Sequence, residues 1–365
     1  MHHTLTTLGL STSLISTYFP PKKGSSIFDE ASSDAITAIS PSYIFVLDQG
    51  SGKTPPLIRE PHTCLVIDHH FASEGGFPEG AEYVTAHDCP PVATSALLTY
   101  HICLPLHPDL DDKISWLCAL GTHGDLGTRI KWQPPFPDMA ATFKQHSKTS
   151  INHAVTLVNA PRRSAAYNVS DAWDAVIAAS GPTSIRSNEK LKDASFEVRQ
   201  ETERCRHTPP KFSADGTIAL LTISSAAQVH PVIATGWAGH LKSAKLEIVM
   251  CANEGYLPDL VNFSCRVAKC ARARDVEDKV DIIKKLESIV EGNAELRARL
   301  GESFARGHKE ASGGIVGRAE WEEFKGLMGI GEVEREKTEM EKKGVQKNTL
   351  ANYFSTASNA TTTKT

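Results

Sequence analysis

Three sets of side chains in the 365-residue sequence could do chemistry together: Asp48, the run Asp68-His69-His70, and Asp125. Carboxylates joined by one or two imidazoles are a donor set that suits Mn²⁺ or Mg²⁺ better than zinc, which favours thiolates. Two such ions a few ångströms apart clamp a phosphoryl group and activate water for in-line attack, and a bridging carboxylate must hold both cations that close. Taken singly, each residue reads as readily as a strand-end cap or a structural histidine. Their weight comes from being brought together.

A parallel sheet would do that. Tyr43-Ile44-Phe45-Val46-Leu47 ends at Asp48-Gln49-Gly50, and Cys64-Leu65-Val66-Ile67 ends at Asp68-His69-His70. Short continuous runs rich in β-branched residues suit strands buried on both faces. Polar residues at their carboxyl ends stand where open α/β sheets place ligands. Residues 82–86 predict a third strand and 92–102 a helix. Residues 114–120 predict an apolar helix that opens into Gly121-Thr122-His123-Gly124-Asp125-Leu126-Gly127.

Residues 1–40 are Ser/Thr-rich and weakly patterned, and the proline-rich stretch 131–138 is a connection. Helical patterns continue to 203, and 204–213, with Pro209 and Pro210, reads as a linker. Strands are expected over 217–223, 245–251 and 260–264, an amphipathic helix over 276–289, and a glycine-rich turn over 307–314. The fold class is therefore α/β. A parallel-sheet domain spans 1–203, a smaller α/β domain spans 214–328, and a charged, disordered tail spans 329–365.

Composition sets the outer bounds. Lys and Arg number 39 against 43 Asp and Glu, a formal net charge of −4, with 40% hydrophobic and 22% charged residues. That describes a folded chain of two domains plus a tail. The balance excludes attachment to nucleic acid by bulk charge, so a local patch would have to do it. No stretch approaches the roughly 18 apolar residues of a membrane span, and the N-terminus lacks the pattern of a secretory signal. Eight cysteines with no Cys-x-x-Cys pair fit reduced thiols in an intracellular protein. Gly50-Ser51-Gly52-Lys53-Thr54 mimics a phosphate loop. However, Leu47 stands where its first glycine is needed, and Pro55-Pro56 prevents the helix that must follow. Aromatic residues are 7% of the chain, and no interleaved stacking groove is evident in the sequence.

The order Val-Leu-Asp-Gln-Gly, Val-Ile-Asp-His-His and Gly-Thr-His-Gly-Asp-Leu-Gly resembles the DHH phosphoesterase superfamily. The distant Gly307-His308-Lys309-Glu310-Ala311-Ser312-Gly313-Gly314 is similar to the glycine-histidine loop of the associated C-terminal DHHA1 domain. The resemblance covers roughly residues 43–325. It implies that Asp48 bridges two metal ions, that His69 ligates one and Asp125 the other, and that those ions are Mn²⁺ or Mg²⁺. It further implies that His70 contacts the scissile phosphate while Asp68 orients the pair.

In the second domain, Asn262-Phe263-Ser264-Cys265-Arg266 resembles the family's Ser-x-Arg strand. Ser264, Arg266 and His308, with backbone N–H groups at Gly307, Gly313 and Gly314, would then hold a phosphate or terminal nucleotide. Glycine has no Cβ to keep an anion away. The implied activity is a RecJ-like phosphodiesterase acting on single-stranded nucleic acid or short oligonucleotides. A non-catalytic replication-associated binding protein and a nucleoside bisphosphate phosphatase are the alternatives. There is one large departure: the family opens with a strand bearing a His-x-Asp-x-Asp-like cluster, and nothing of the kind precedes Asp48. The expectation is an N-terminally truncated enzyme, with lost catalysis as the alternative.

In the tail, Lys347-Asn348-Thr349-Leu350-Ala351-Asn352-Tyr353-Phe354 resembles a peptide that docks on the sliding clamp of DNA replication. One helical turn would put Leu350, Tyr353 and Phe354 on one face. The resemblance implies a nuclear location. The alternative is a chance aromatic pair in a polar tail.

Overall fold

The computed structural model describes residues 1–331, apart from 73, 88, 90 and 275–278. The chain forms two compact units. The first comprises Met1–His207 with the segments Ser224–Val229 and Gly255–Pro258, and the second comprises Thr208–Ile223, His230–Glu254 and the described residues from Asp259 on.

In the first unit, α1 (His2–Thr7) and α2 (Glu30–Ile39) precede a parallel sheet of β1 (Tyr43–Leu47), β2 (Thr63–Ile67) and β3 (Glu82–Val84), in the order β1-β2-β3. The weak patterning of residues 1–40 thus hides two helices. β2, the central strand, is the doubly buried strand that its sequence predicts, with Cys64, Val66 and Ile67 all inaccessible. β1 departs from that expectation. Val46 is buried, but Tyr43, Phe45 and Leu47 on the alternate face are exposed, because β1 is an edge strand covered on one side only. Val46, Cys64 and Val66 close a core with Ile27, Leu57 and Phe77.

Helices α3 (Ser95–Cys103), α4 (Leu110–Leu126), α5 (Ala140–His146), α6 (Lys148–Arg163), α7 (Val169–Ile177), α8 (Pro182–Ile185) and α9 (Glu189–Cys205) complete the unit. Thr94 caps α3 by accepting from the Leu97 amide, as a threonine at that position should. α4 corrects the sequence reading. Gly121 and Gly124 do not open a loop, and the helix runs on to Leu126 before Gly127, at φ +90°, stops it with its N–H on the His123 carbonyl. Gly121 is there for packing. A Cβ at that position would stand 2.5 Å from the Cβ of Ala96 on α3, so its absence lets the two helices touch.

In the second unit, β4 (Lys211–Phe212), β5 (Ile218–Ile223), α10 (His230–His240), β6 (Ile248–Asn253), β7 (Leu260–Val267), α11 (Lys269–Arg272), α12 (Ile282–Val290), α13 (Ala294–Leu300), β8 (Arg306–His308), β9 (Ala311–Gly317) and α14 (Arg318–Leu327) follow in turn. The sheet order is β4-β5-β6-β7-β9-β8, with β5 and β6 parallel and the remaining pairs antiparallel. α10 crosses from β5 to β6 and packs on β6 and β7. Phe263 stacks on Trp321 at 5.3 Å on the opposite face, while Phe304 meets Phe324 edge-on at 5.2 Å. The glycine-rich segment is a second correction. It is more than a turn: a two-residue turn at Lys309-Glu310 joins the two strands of the β8–β9 hairpin, whose glycines admit close strand packing.

The linker expected over 204–213 holds the end of α9 and all of β4. The amphipathic helix is observed over Ile282–Val290, and 275–278, which include its expected start, lie outside the described residues. So do Leu350, Tyr353 and Phe354 and the sliding-clamp expectation they carry. Among the described residues, no helix is long and apolar enough to cross a membrane, and no disulfide joins the eight cysteines.

Candidate metal and phosphate site

The carboxyl ends of β1 and β2 converge on His69. Asp48 follows β1 directly, donates its N–H to the Ile67 carbonyl at 2.9 Å, and turns at φ +62°, a left-handed conformation that costs a non-glycine residue energy. Two residues on, Gly50 at φ +111° sits where a Cβ would stand 2.8 Å from the Val66 side chain. The tight turn therefore demands glycine. Asp48 Oδ1 lies 3.2 Å from His69 Nδ1, and Asp125 Oδ2, on the last turn of α4, lies 3.1 Å from His69 Nε2. Ser95, at the start of α3, approaches Nδ1 with its hydroxyl at 3.1 Å and its amide at 3.3 Å.

His69 is buried, whereas the side chains of Asp48 and Asp125 are 63% and 42% exposed. Burial opposes charge on this imidazole. The hydrogen bonds and charges of Asp125 and Asp48 outweigh it, and the His69 pKa is pushed up to about 10. An acid at a helix C-terminus faces the negative end of the helix dipole, so Asp125 is poorly placed for helix stability. The same field strengthens its attraction for a cation.

Asp68 does a different job. It is buried and accepts four hydrogen bonds: from the Ser51 amide (3.0 Å) and hydroxyl (2.7 Å), and from the His70 amide (3.2 Å) and Nδ1 (2.7 Å). Burial would raise its pKa, but these bonds hold its carboxyl far below the usual range. Bonding to Asp68 in turn raises the pKa of His70, against the effect of burial. The His70 ring stacks on His69 at 4.5 Å and is 49% exposed. A ligand atom from each of Asp48, Asp68, His69 and His70 lies within 4.8 Å of the others.

Beside Asp48 and Asp125 lies a cavity of about 310 Å³, whose walls include His2, His3, Tyr100, Cys118 and Trp173. Burial pushes the Cys118 thiol up to about 12, with Asp111 adding to the effect and a bond with Thr122 opposing it. No thiolate is therefore on offer to a softer metal. Mixed carboxylate and imidazole donors with two accessible acids fit Mn²⁺ or Mg²⁺. His123, within the same glycine-flanked motif as Asp125, is structural. It lies 2.6 Å from Asn152 Oδ1 through Nδ1 and accepts from the Trp132 indole through Nε2 at 2.9 Å, while burial lowers its pKa.

In the second unit, strand register places the remaining residues. Ser264 pairs with Gly313 and Gly313 with Arg306, while Arg266 pairs with Ala311 and Ala311 with His308. Residues paired across a sheet share a face, so Ser264, Arg266, Arg306 and His308 form two adjacent rows on one face. The Arg266 Nη1 donates to Ser264 Oγ and to the Cys265 carbonyl, both at 2.8 Å. Among the described residues, no carboxylate pairs with Arg266. Gly314 has a packing role: its Cβ would stand 2.8 Å from the Phe263 ring and from the Ser303 carbonyl. A Cβ on Gly313 would run into the Phe263 carbonyl, and Gly307, at φ +122°, closes on the Ala311 carbonyl.

The sequence reading missed Ser51 and Ser95. Both are ordinary serines whose roles arise from loop and helix placement, although Ser51 does lie in the Gly-Ser-Gly segment rejected as a phosphate loop.

No protein-family model matches the chain, and no curated protein does. Among solved structures, RecJ in complex with Mn²⁺ from Thermus thermophilus matches with a TM-score of 0.53 and 15% identity, over 80% of this chain and 45% of that one. The chain shares its fold with that RecJ. The chain spans less than half the length of that RecJ. A manganese-bound exonuclease RecJ matches with a TM-score of 0.48 and 14% identity, over 81% and 76% of the two chains. CDC45 from Entamoeba histolytica matches with a TM-score of 0.40 and 8% identity, over 81% and 86%.

Proposed function

We propose that the chain is a Mn²⁺- or Mg²⁺-dependent phosphodiesterase acting on single-stranded nucleic acid or short oligonucleotides. The observation that carries this reading is the convergence of Asp48 and Asp125 on the two nitrogens of buried His69, with the His70–Asp68 pair beside them. The manganese in the RecJ structure supports the choice of ion. Asp48, His69 and Asp125 would hold the metal, with Asp48 as the bridging carboxylate if two ions bind. A bound divalent ion supplies Lewis acidity at the phosphoryl group and eases ionisation of the attacking water.

The chain's own residues do the rest. Bonding to Asp68 favours the protonated form of His70, whose exposed edge would donate a hydrogen bond to a phosphoryl oxygen as negative charge builds there. Ser51 holds Asp68 rigid, which fixes the direction of that donor. Arg266 and His308, with Ser264 beside them, would bind a substrate phosphate. A half-buried guanidinium without a carboxylate partner among the described residues suits an anion.

Metal-dependent cleavage of a labelled oligonucleotide tests the proposal. Activity with Mn²⁺, none with EDTA and none in Asp125→Asn is expected. Full activity in a folded Asp125→Asn protein sinks it. One observation favours a second reading, a non-catalytic binding protein. His69 satisfies both acids without an ion, so the site is also stable as a plain ion-paired cluster.

A further inference from the structure

Phe71 follows His70 directly, and 73% of it is exposed. It belongs to none of the apolar clusters of the described residues, so it forgoes the stabilisation that burial would give its ring. Its ring contact is His87, edge to face at 5.4 Å and 87°. His87 is itself tethered, with Nδ1 3.3 Å from the Thr85 hydroxyl. Both residues lie just beyond the carboxyl ends of neighbouring strands, Phe71 after β2 and His87 after β3, on the rim that holds the acids and imidazoles. Tyr43 is nearly as exposed, at 70%, but it begins β1 and so stands at the far end of the strand from that rim.

Consecutive Cα atoms are about 3.8 Å apart, so the Phe71 ring is rooted next to the imidazole that would face the phosphoryl group. A single strand passing a phosphodiester centre carries an unpaired base on either side of that phosphate. Every base has a π-face on which an exposed aromatic ring can stack, whatever the sequence. We propose that Phe71, braced edge-on by His87, is a stacking platform for the nucleobase beside the scissile phosphate, and that it selects base-bearing single strands over bare phosphodiester chains. This rests on the phosphodiesterase reading above and names a substrate contact for it.

The test compares wild type, Phe71→Ala, Phe71→Leu and Phe71→Trp on two Mn²⁺-dependent substrates. One is a labelled single-stranded oligonucleotide, and the other is an oligomer of the same length whose sugars carry no bases. On the first substrate, the Ala and Leu variants are expected to raise KM about five- to 150-fold with little change in kcat, and Trp to restore it. On the baseless substrate all four proteins should behave alike. The exposed position lets the variants fold, which thermal melting checks. Equal kinetics for Ala and wild type on both substrates overturns the platform alone. So does an equal loss on both, or a Leu variant that matches Phe. A wild type that cleaves neither substrate instead removes the phosphodiesterase reading, and the platform with it.

Discussion

His69 concentrates the electrostatics of the site. Its folded pKa, about 10, lies above the ordinary 6.5. In the metal-free protein its interaction with Asp48 and Asp125 is therefore fully present below about 6.5 and is lost as pH rises through about 10. A metal must take the imidazole in its neutral form, so binding displaces a proton. Mn²⁺ affinity should rise steadily between about pH 6.5 and about pH 9, as measured by electron paramagnetic resonance titration, and a flat profile would contradict His69 as a ligand. His70 depends on Asp68 in the same way. In Asp68→Asn its pKa should fall back toward 6.5 by histidine NMR titration, and an unchanged value would remove Asp68 from its orienting role. At this scale the sequence showed the acids and imidazoles, because chemistry marks them by type. Ser51, Ser95 and Phe71 carry no such mark and depend on what the chain brings beside them.

Elements were legible where a pattern ends abruptly. The apolar runs of β1 and β2 stop dead at Asp48 and Asp68, so those strand ends could be read directly. Glycine misled in both directions, since it signals loops yet also permits close packing. Gly121 and Gly124 lie inside α4, and Gly313 and Gly314 inside β9; at Gly121, Gly313 and Gly314 neighbouring atoms occupy the space of a Cβ. The consequence for Asp125 is geometric: a helix, not a loop, aims its carboxylate at His69. Gly121→Val should therefore cost about 1–3 kcal/mol of stability by overpacking against Ala96. It should also weaken metal binding by shifting α4. A melting temperature equal to that of wild type would show that the α3–α4 contact is not tight.

Across the whole molecule, two sheets of different construction carry two different sets of polar side chains. The parallel sheet gathers carboxylates and imidazoles at its rim, and the mixed sheet lines up Ser264, Arg266, Arg306 and His308 on one face. The sequence order of the motifs anticipated the α/β class. It could not give strand register, which is set by pairing between residues far apart in the chain. If the second unit binds substrate phosphate, Arg266→Ala should raise KM for an oligonucleotide about tenfold or more, in line with the loss of a charge-assisted hydrogen bond. The first unit's metal affinity should stay unchanged, and an equal fall in both would point to a folding defect instead. The most direct test of the central claim is hydrolysis of a labelled single-stranded oligonucleotide by the full chain, with Mn²⁺ and with EDTA, beside Asp125→Asn. Cleavage that requires Mn²⁺ and vanishes in the variant is the predicted result. Cleavage that persists in EDTA or in Asp125→Asn, or no cleavage by a folded wild type, would contradict it.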